Sequence, residues 1–247
     1  MKTFEKEKSI RHILNEPGQS AYKKYKVLVA GDVGFINFFT AELIFFFLSS
    51  LGGALGIFLR KIIYPRLFKK CGSGIIIGRN CIFRHPSKLQ IGDNVTIDDL
   101  CLIDARGTGQ KGIVLQDNAI INRSTTIQSK SGDIEIGKSA AIGANSSLVS
   151  WDGIKIGDGV SIAAGCYISA GDYDTSDLST PVIEQEAITK GPIIIEDNVW
   201  IATRVTILDG VQIGRDSIIY AGSVVTENIP ERSIVHGNPA KVIFTRR

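Results

Sequence analysis

Branched aliphatic residues return at every sixth position along much of this chain, with polar and small residues between them. Shorter series of this kind begin at Ile91, Ile136 and Ile156 and end at short polar or glycine-containing insertions. A period of six matches neither the 3.6 of an α-helix nor the alternation of a half-buried strand. The pattern therefore predicts a repeated coil. Its longest unbroken series is Ile195, Ile201, Ile207, Ile213, Ile219 and Val225.

Each hexad predicts one short strand and one corner, with the aliphatic side chain pointing into a shared core. Three hexads would close a triangular rung, and stacking on the next rung would bury its apolar face. Small residues follow the aliphatic position, and we expect them at tight corners because glycine adopts backbone angles that a Cβ forbids. These residues are Gly78, Gly92, Gly137, Gly143, Gly157, Ala163, Ala202 and Gly214.

Four blocks near the carboxyl end resemble a known family. They are GPIIIEDNVWI at 191–201, VTILDGV at 205–211, AGSVVT at 221–226 and GNPAKV at 237–242. In order and spacing they are similar to the hexapeptide-repeat O-acetyltransferases of sugars, antibiotics and surface polysaccharides. The resemblance covers about residues 74 to 247. It implies a mainly β fold, a left-handed parallel β-helix, which is an exception to the right-handed crossover rule.

Residues 1 to 73 lack the repeat, and we expect a helical amino-terminal segment ahead of a β-helix domain at 74–247. A charged helical stretch is predicted at 3–27, interrupted by a turn at 15–20, with Ser20 as the cap of a second helix. Residues 35–58 are rich in phenylalanine. A basic cluster then follows, formed by Arg60, Lys61, Arg66, Lys69 and Lys70.

The phenylalanine-rich segment has two interpretations. In the first, it is a helical cap that packs on the end of the solenoid or on a neighbouring subunit. In the second, it is an interfacial hairpin that bends at Gly52-Gly53, with the basic cluster bound to anionic headgroups. The membrane interpretation is slightly favoured, because so many phenylalanines would otherwise form a large exposed apolar patch. No cleavable signal pattern lies near Met1, so we expect a cytoplasmic protein, peripheral on the membrane.

Composition narrows the function. A chain of 247 residues that is 44% apolar can bury a sizeable core as one solenoid domain. The net charge of +3, without aromatic-basic interleaving, does not favour nucleic acid. The cysteines form no Cys-x-x-Cys pair and have no histidine at ligand spacing, so we expect reduced thiols and no metal. They are Cys71, Cys81, Cys101 and Cys166.

The resemblance also implies chemistry. In this family acetyl-CoA lies between two solenoids of a homotrimer, and a loop histidine deprotonates the acceptor hydroxyl, since an alcohol is a poor nucleophile at neutral pH. Backbone groups at the corners would stabilise the oxyanion. The corresponding loop lies between Ile168 and Ile195 and contains no histidine, because the only histidines are His12, His85 and His236.

Three explanations of the missing base stay open. Asp172 or Asp174 would act if burial or a second carboxylate raised the pKa above about 3.9. His236, in the closing loop, would reach the thioester from the other side. In the third explanation no side chain acts as the base, and the protein is either an enzyme with a low rate or a scaffold. Tyr173 and Asn145 are the predicted acceptor-binding residues.

Matching the family position by position gives the cofactor-binding residues. Small residues there let the backbone approach the pantetheine, and Lys241 would pair with phosphate. Every corner of a solenoid also needs small residues, so this set depends on the resemblance. It consists of Trp200, Ala202, Thr203, Ala221, Gly222, Asn238, Pro239 and Lys241.

The resemblance therefore implies an acetyl-CoA-dependent O-acetyltransferase of a sugar hydroxyl, in surface-polysaccharide or lipid-linked glycan synthesis. The alternative is a catalytically silent trimeric scaffold of a membrane glycan-assembly complex. A γ-type carbonic anhydrase shares the fold but needs three zinc-binding histidines. The repeat region of this chain contains only two histidines, His85 and His236.

Overall fold

The structure is a computed structural model that describes residues 2–4, 17–107, 109 and 111–247. Its centre is a three-sided parallel β-helix, in which each rung adds one short strand to each of three sheets, here named faces 1, 2 and 3. The coil repeat predicted from the hexads and the left-handed β-helix implied by the resemblance are both confirmed. Face 1 contains β2 (Lys70–Cys71), β5 (Leu89–Ile91), β8 (Ile113–Leu115), β11 (Ile134–Ile136), β14 (Ile154–Ile156), β19 (Ile193–Ile195) and β22 (Gln212–Ile213).

The other two faces have the same construction. Face 2 contains β3 (Ile76–Ile77), β6 (Thr96–Ile97), β9 (Ile120–Ile121), β12 (Ala141–Ile142), β15 (Ser161–Ile162), β20 (Trp200–Ile201) and β23 (Ile218–Ile219), and ends in the antiparallel pair β25 (Ser233–Gly237) and β26 (Ala240–Thr245). Face 3 contains β4 (Ile82–Arg84), β7 (Leu102–Asp104), β10 (Thr126–Ser129), β13 (Ser147–Ser150), β16 (Tyr167–Ala170), β21 (Thr206–Ile207) and β24 (Val224–Val225).

The hexad aliphatics meet in register from rung to rung. Ile121 pairs with Ile142, which pairs with Ile162, and each is at most 2% exposed. A parallel sheet places like positions about 4.8 Å apart, so the inward column is continuous. Burial of this column is the main stabilising contribution, because no single rung can cover its own apolar face.

The small residues after the aliphatic position have a different role from the one predicted. Gly92 and Gly143 do not adopt a positive φ. Instead, a Cβ on Gly143 would lie 2.3 Å from the carbonyl carbon of Ala163, and one on Gly92 would lie 2.5 Å from Oδ1 of Asp117. Glycine is therefore required because the next rung passes too close, and the expectation of special backbone angles at this position is wrong.

In many of the corners the left-handed backbone falls two residues later. Asn94, Asn118, Asn145 and Asn198 have φ values of 55, 60, 58 and 57°. Asparagine tolerates this region better than other residues with a Cβ, since its short polar side chain hydrogen-bonds locally. The turn of each rung is thus set at the third residue after the aliphatic.

The longest break in the repeat forms a small antiparallel arm between β16 and β19. It contains β17 (Asp172–Tyr173), a 3₁₀ turn at Val182–Glu184 and β18 (Ala187–Thr189), and β18 also pairs with β1 (Lys2–Phe4). The predicted helix at 3–27 is therefore wrong at residues 3 and 4, which cover the otherwise unpaired edge of β18. Residues 5–16, with His12, lie outside the described residues.

Among the residues described, three helices precede the first rung: α1 (Ala21–Val29), α2 (Phe35–Leu48) and α3 (Gly53–Ile63). One 3₁₀ turn follows α3 at Tyr64–Leu67, and another follows β4 at Pro86–Lys88. Ser20 caps α1 as predicted, since its Oγ accepts from the backbone N–H of Lys23 at 3.3 Å. The helices cover the end of the solenoid, where Phe45 packs against Tyr64 and Phe83.

The opposite side of the α2–α3 hairpin is apolar and exposed. Phe46 is 77% exposed and Phe47 65%, and among the described helices none is long and apolar enough to cross a membrane. The hairpin bends between Leu48 and Gly53, where the sequence placed the bend. We name this surface the hairpin patch; it consists of Phe35, Ile36, Phe39, Phe46, Phe47, Leu55 and Phe58.

Candidate functional site

The turns between faces 2 and 3, here named corner 2/3, hold half of the predicted cofactor-binding residues. Ile201 pairs with Ile219, and Ile219 pairs with Val235. The residues that follow these three, Ala202, Tyr220 and His236, therefore stand in line on successive rungs. Ala202 is buried, at 7% exposed, whereas Tyr220 and His236 are exposed.

The next positions around corner 2/3 are joined from rung to rung by hydrogen bonds. The N–H of Gly222 donates to the carbonyl oxygen of Thr203 at 3.0 Å, and Thr203 Oγ1 donates to the carbonyl oxygen of Ala164 at 2.8 Å. Asn145 lies on the same corner two rungs before Thr203, through the bonded pairs of Gly165 with Ala144 and Arg204 with Ala164. Ala221 and Gly222 are both exposed. The structure thus brings Asn145, Thr203, Ala221 and Gly222 onto one edge.

Trp200 and Tyr220 frame this edge. Trp200 lies on the outer side of face 2, pairs with Ser161 and Ile218, and is 46% exposed. Tyr220 is 40% exposed, and its ring contacts the ring of His236 edge-on at 6.3 Å between centroids. Tyr220 therefore stands beside the open backbone and does not fill the core.

The closing hairpin holds the remaining predicted cofactor residues. Asn238 and Pro239 form its tip through a cis peptide bond, between β25 and β26. His236 pairs in register with Lys241. The Nζ of Lys241 lies 3.3 Å from Oε2 of Glu227, with both side chains mostly exposed. A surface pair of this kind contributes little to stability, so the ammonium group is available to an incoming phosphate.

The acidic residues of the loop lie on a different edge, corner 3/1, after the last residue of β16. The Oδ1 of Asp172 accepts from the N–H of Tyr173 at 2.8 Å, and Asp172 is exposed. Oδ1 of Asp174 accepts from the N–H of Ser176 at 2.9 Å, and the backbone and side-chain hydrogen bonds of Ser176 hold the pKa of Asp174 below its ordinary value. The raised pKa expected for a buried loop carboxylate is therefore wrong for Asp174.

Within one chain the predicted groups thus divide into two sets. His236 shares corner 2/3 with Ala202 and Gly222, whereas Asp172, Tyr173 and Asp174 lie across face 3 from them. An acid on corner 3/1 would meet a carrier on corner 2/3 only if the two edges came from different chains. Three-sided solenoids packed side by side would create such a seam.

A buried charged cluster on face 3 was not singled out from the sequence. Asp104 is fully buried and accepts from Nε of Arg106 at 2.8 Å, with the Nη2 of Arg106 also bound to it. His85 Nδ1 lies 3.8 Å from Oδ1 of Asp104, and its Nε2 lies 3.1 Å from the carbonyl oxygen of Val27 on α1. The spacing of these residues follows the rung length, about twenty residues, and that spacing is the signal that could have revealed the cluster.

This cluster does not supply the missing base. His85 is 5% exposed and is engaged by α1 through both its side chain and its backbone, since its N–H donates to the carbonyl oxygen of Val29 at 2.7 Å. It has no access to an acceptor hydroxyl. The arrangement instead fastens the helical cap to the second rung.

The cysteines are free thiols, and Cys81, Cys101 and Cys166 are buried. Among the described residues there is no group of three histidine, cysteine or carboxylate side chains that could hold a metal ion. The Sγ of Cys166 donates to the carbonyl oxygen of Ala202 at 3.2 Å, beneath corner 2/3. These thiols act as small core residues.

Comparison with known proteins finds the repeat twice. Residues 192–227 match the model "Bacterial transferase hexapeptide (six repeats)", and residues 133–170 match "Hexapeptide repeat of succinyl-transferase". A Mycobacterium tuberculosis protein described as a probable acetyltransferase is 34% identical over 127 residues, 51% of this chain and 42% of that protein. The 2,3,4,5-tetrahydropyridine-2,6-dicarboxylate N-acetyltransferase of Clostridium perfringens is 50% identical over 58 residues, 24% of this chain and 25% of that protein.

Among solved structures, a variant of AntD, an N-acyltransferase from Bacillus cereus, was crystallised with dTDP-4-amino-4,6-dideoxyglucose and coenzyme A. It superimposes with a TM-score of 0.53 at 25% identity, covering 76% of this chain and 87% of that one. The chain spans less than half the length of the two curated relatives described above. The repeat matches, the relatives and the fold together show that this chain is a hexapeptide-repeat protein similar to acetyltransferases built on that repeat.

Proposed function

We propose that this protein is an acetyl-CoA-dependent O-acetyltransferase that acts on a sugar hydroxyl, in surface-polysaccharide or lipid-linked glycan synthesis. The observation that carries the proposal is the edge at corner 2/3, where the small residues Thr203, Ala221 and Gly222 are exposed on adjacent rungs. AntD, which shares the fold, was crystallised with coenzyme A and a nucleotide sugar.

The proposed working unit is a homotrimer with the carrier in each seam. Corner 2/3 of one chain would hold the pantetheine, and corner 3/1 of its neighbour would bring Asp172 and Tyr173 to the acetyl group. Trp200 would wall the acetyl pocket, and Asn145 would bind the acceptor. Lys241, with Asn238 and Pro239, would close over the nucleotide end, because an ammonium group pairs well with phosphate.

Two bases fit this arrangement. Asp172 is favoured over Asp174, because the hydrogen bonds of Ser176 hold the pKa of Asp174 below its ordinary value and so make its carboxylate a weaker base. His236 stands on the same edge as the proposed carrier, in line with Ala202 on successive rungs, and an imidazole is the side chain that most often serves as a general base. A positioned base contributes about 10² to 10⁴ in rate, so either variant should be easily distinguished.

The test is a transfer assay of the full chain with acetyl-CoA and a panel of hydroxyl and amino sugars. Asp172→Asn or His236→Gln should lower kcat by about 10² to 10⁴ if that residue is the base, whereas Asp174→Asn serves as the matched loop control. Turnover restricted to amino sugars would contradict O-transfer. Absence of both acetyl-CoA binding and turnover would favour the alternative, a silent trimeric scaffold of a glycan-assembly complex.

A peripheral contact with the cytoplasmic face of a membrane is proposed for the hairpin patch. Exposed phenylalanines are costly in water, at about 1.5 to 3 kcal/mol for each side chain. Glu42, an acid of α2, accepts from the hydroxyl of Tyr25 at 2.9 Å. Basic residues lie in α1, late in α3 and just after it along the chain, and they would complement anionic headgroups; they are Lys23, Lys24, Lys26, Lys61, Arg66 and Lys69.

Sedimentation with vesicles tests this contact. The native chain should bind vesicles of phosphatidylglycerol and phosphatidylcholine more tightly than phosphatidylcholine alone, and the double variant Phe46→Ser/Phe47→Ser should lose binding. Phe244→Ser, at an exposed site on β26, is the matched control. The membrane proposal fails if the native chain does not bind vesicles. It also fails if the only effect of the double variant is a lower oligomeric mass, because the patch then binds protein.

A further inference from the structure

Corner 3/1 carries a column of cationic and aromatic residues below the loop. Gln128 pairs with Asp104, Ser129 with Ser150, and Ser150 with Ala170. Lys130, Trp151 and Gly171, which follow the paired Ser129, Ser150 and Ala170, are therefore aligned on successive rungs. Arg106 lies one rung below, next to Gly107, whose N–H donates to the carbonyl oxygen of Ser129 at 3.0 Å.

The column is packed at its upper end. Lys130 Nζ lies 4.6 Å from the centroid of the Trp151 ring. A Cβ on Gly171 would lie 2.5 Å from the Trp151 ring, so the indole lies between Lys130 and the backbone of Gly171. The ring of Tyr173 meets Trp151 edge-on at 6.5 Å. Trp151 thus lies between Lys130 and Tyr173, which belongs to the loop with the proposed acceptor residues.

Positive charge exceeds negative charge at the lower end. Asp104 is shared between Arg106 and Arg84, whose Nη1 lies 3.7 Å from Oδ2 of Asp104. Lys88 Nζ donates to the carbonyl oxygen of Gly107 at 2.7 Å. Within the part of the chain that the structure describes, no carboxylate lies within 4.0 Å of the Lys130 ammonium.

This arrangement is unfavourable for Lys130 unless an anion joins it. Burial, and then the neighbouring charge of Arg106, lower the pKa of Lys130. The contact with the Trp151 ring offsets only part of this cost, since a cation over an aromatic face contributes about 0.5 to 2 kcal/mol. A half-buried ammonium beside a guanidinium is the arrangement that binds carboxylate or phosphate groups.

We propose that Lys130 and Arg106 bind the carboxylate or phosphate of an acidic sugar acceptor, with Trp151 and Tyr173 as the wall of the subsite. The identity of the acceptor as a sugar rests on the proposed function. The binding of the anion does not, because it needs no acetyl transfer. The site is on corner 3/1, away from the edge assigned to the carrier.

Trp151 reports on this site directly, because Trp200 is the other tryptophan of the chain. In the full-length Trp200→Phe variant, inorganic phosphate and glucuronate should each change the emission of Trp151 with saturation, whereas glucose should not. Whichever anion binds more tightly identifies the source of the charge. Adding Lys130→Gln should weaken binding about tenfold or more, and Lys130→Arg should restore it. Lys155→Gln, an exposed lysine on face 1, is the control.

The same variants separate this inference from the proposed function. With Trp200 intact, Lys130→Gln should raise KM for an acidic acceptor about tenfold and leave KM for a neutral one unchanged. The inference is overturned if Lys130→Gln binds phosphate and glucuronate as the parent does, or if coenzyme A displaces them. Anion binding that depends on Lys130, in a protein without transferase activity, would support the subsite and contradict the proposed reaction.

Discussion

The Nε of Arg60, on α3, donates a 2.9 Å hydrogen bond to the carbonyl oxygen of Ile77, at the end of the first strand of face 2. Its Nη1 donates to the carbonyl oxygens of Leu48 and Leu51, at 2.9 and 2.7 Å. One buried guanidinium therefore joins the bend of the helical hairpin to the end of the solenoid. Hydrogen bonds to a charged group are stronger than neutral ones, and a lost partner leaves buried acceptors unsatisfied.

Replacement of Arg60 by methionine should lower the free energy of unfolding by about 3 kcal/mol, since three carbonyl oxygens lose their donor. Chemical denaturation of the two proteins measures the difference. Arg123→Met is the matched control, because that side chain is 72% exposed and lies 3.9 Å from Asp98. Equal stability of the Arg60 and Arg123 variants would show that the hairpin is not held in this way.

Close approach between rungs predicts a specific effect at corner glycines. Gly143→Ala should cost about 3 kcal/mol, because the new Cβ would lie 2.3 Å from a backbone carbon of Ala163. Gly159→Ala should cost only about 1 kcal/mol, because Gly159 has a φ of +65° but nothing within 4 Å of the added atom. Thermal unfolding measures the loss of stability in both variants. A larger loss for Gly159→Ala would show that the backbone angle, and not the contact between rungs, is the main reason for glycine at the corners.

The hexads predicted the β-helix because burial repeats with the strand-and-corner unit, and no tertiary detail is needed to place Ile121 above Ile142. The role of Gly143 was missed, because a contact with the next rung is invisible in a local pattern. The pairing of residues 2–4 with β18 joins distant segments and carries no sequence signal. The prediction of a helix at residues 3 and 4 was therefore wrong.

The candidate site was predictable in part. Counting strands from Ile162 shows that Ala202 and Ala221 follow face 2, whereas Asp172 follows face 3, so their separation was already present in the phase. The pKa of Asp174 was not predictable, because it depends on the N–H of Ser176 in a turn outside the repeat. Likewise, His85 and Asp104 meet only after a full rung and the docking of α1.

Acid should weaken the junction between α1 and the solenoid. Burial opposes ionisation of Asp104, but His85 and Arg106 together hold its pKa below the ordinary value of 3.8. A carboxyl whose folded pKa is lowered contributes stability above its unfolded pKa and loses it as pH falls through the folded value. The native chain should therefore lose stability as pH falls below about 4.

Asp104→Asn tests this contribution. At pH 7 the variant should be less stable by about 3 kcal/mol, because Arg106 is left buried without its partner, and its stability should depend less on acid. Unfolding midpoints between about pH 3 and pH 7 measure both effects. Glu227→Gln, at a mostly exposed pair, should change neither. A pH profile of Asp104→Asn parallel to that of the native chain would contradict the assignment.

A bulky residue at corner 2/3 should block the carrier without unfolding the protein. Ala221→Trp introduces a large side chain at an exposed position, so the Kd for acetyl-CoA should rise about tenfold or more while the unfolding midpoint stays within error. Calorimetric titration measures this affinity. Lys155→Trp, at an exposed position on face 1, should bind acetyl-CoA normally. Unimpaired binding by Ala221→Trp would place the carrier elsewhere.

A crystal structure of the full chain with coenzyme A tests the central claim most directly. We expect two chains side by side, with the pantetheine along Ala202, Thr203, Ala221 and Gly222 of one chain and the loop of its neighbour facing the sulfur. Corner 2/3 covered by a neighbouring chain's side chains, with coenzyme A bound on another edge or not bound, would contradict the account.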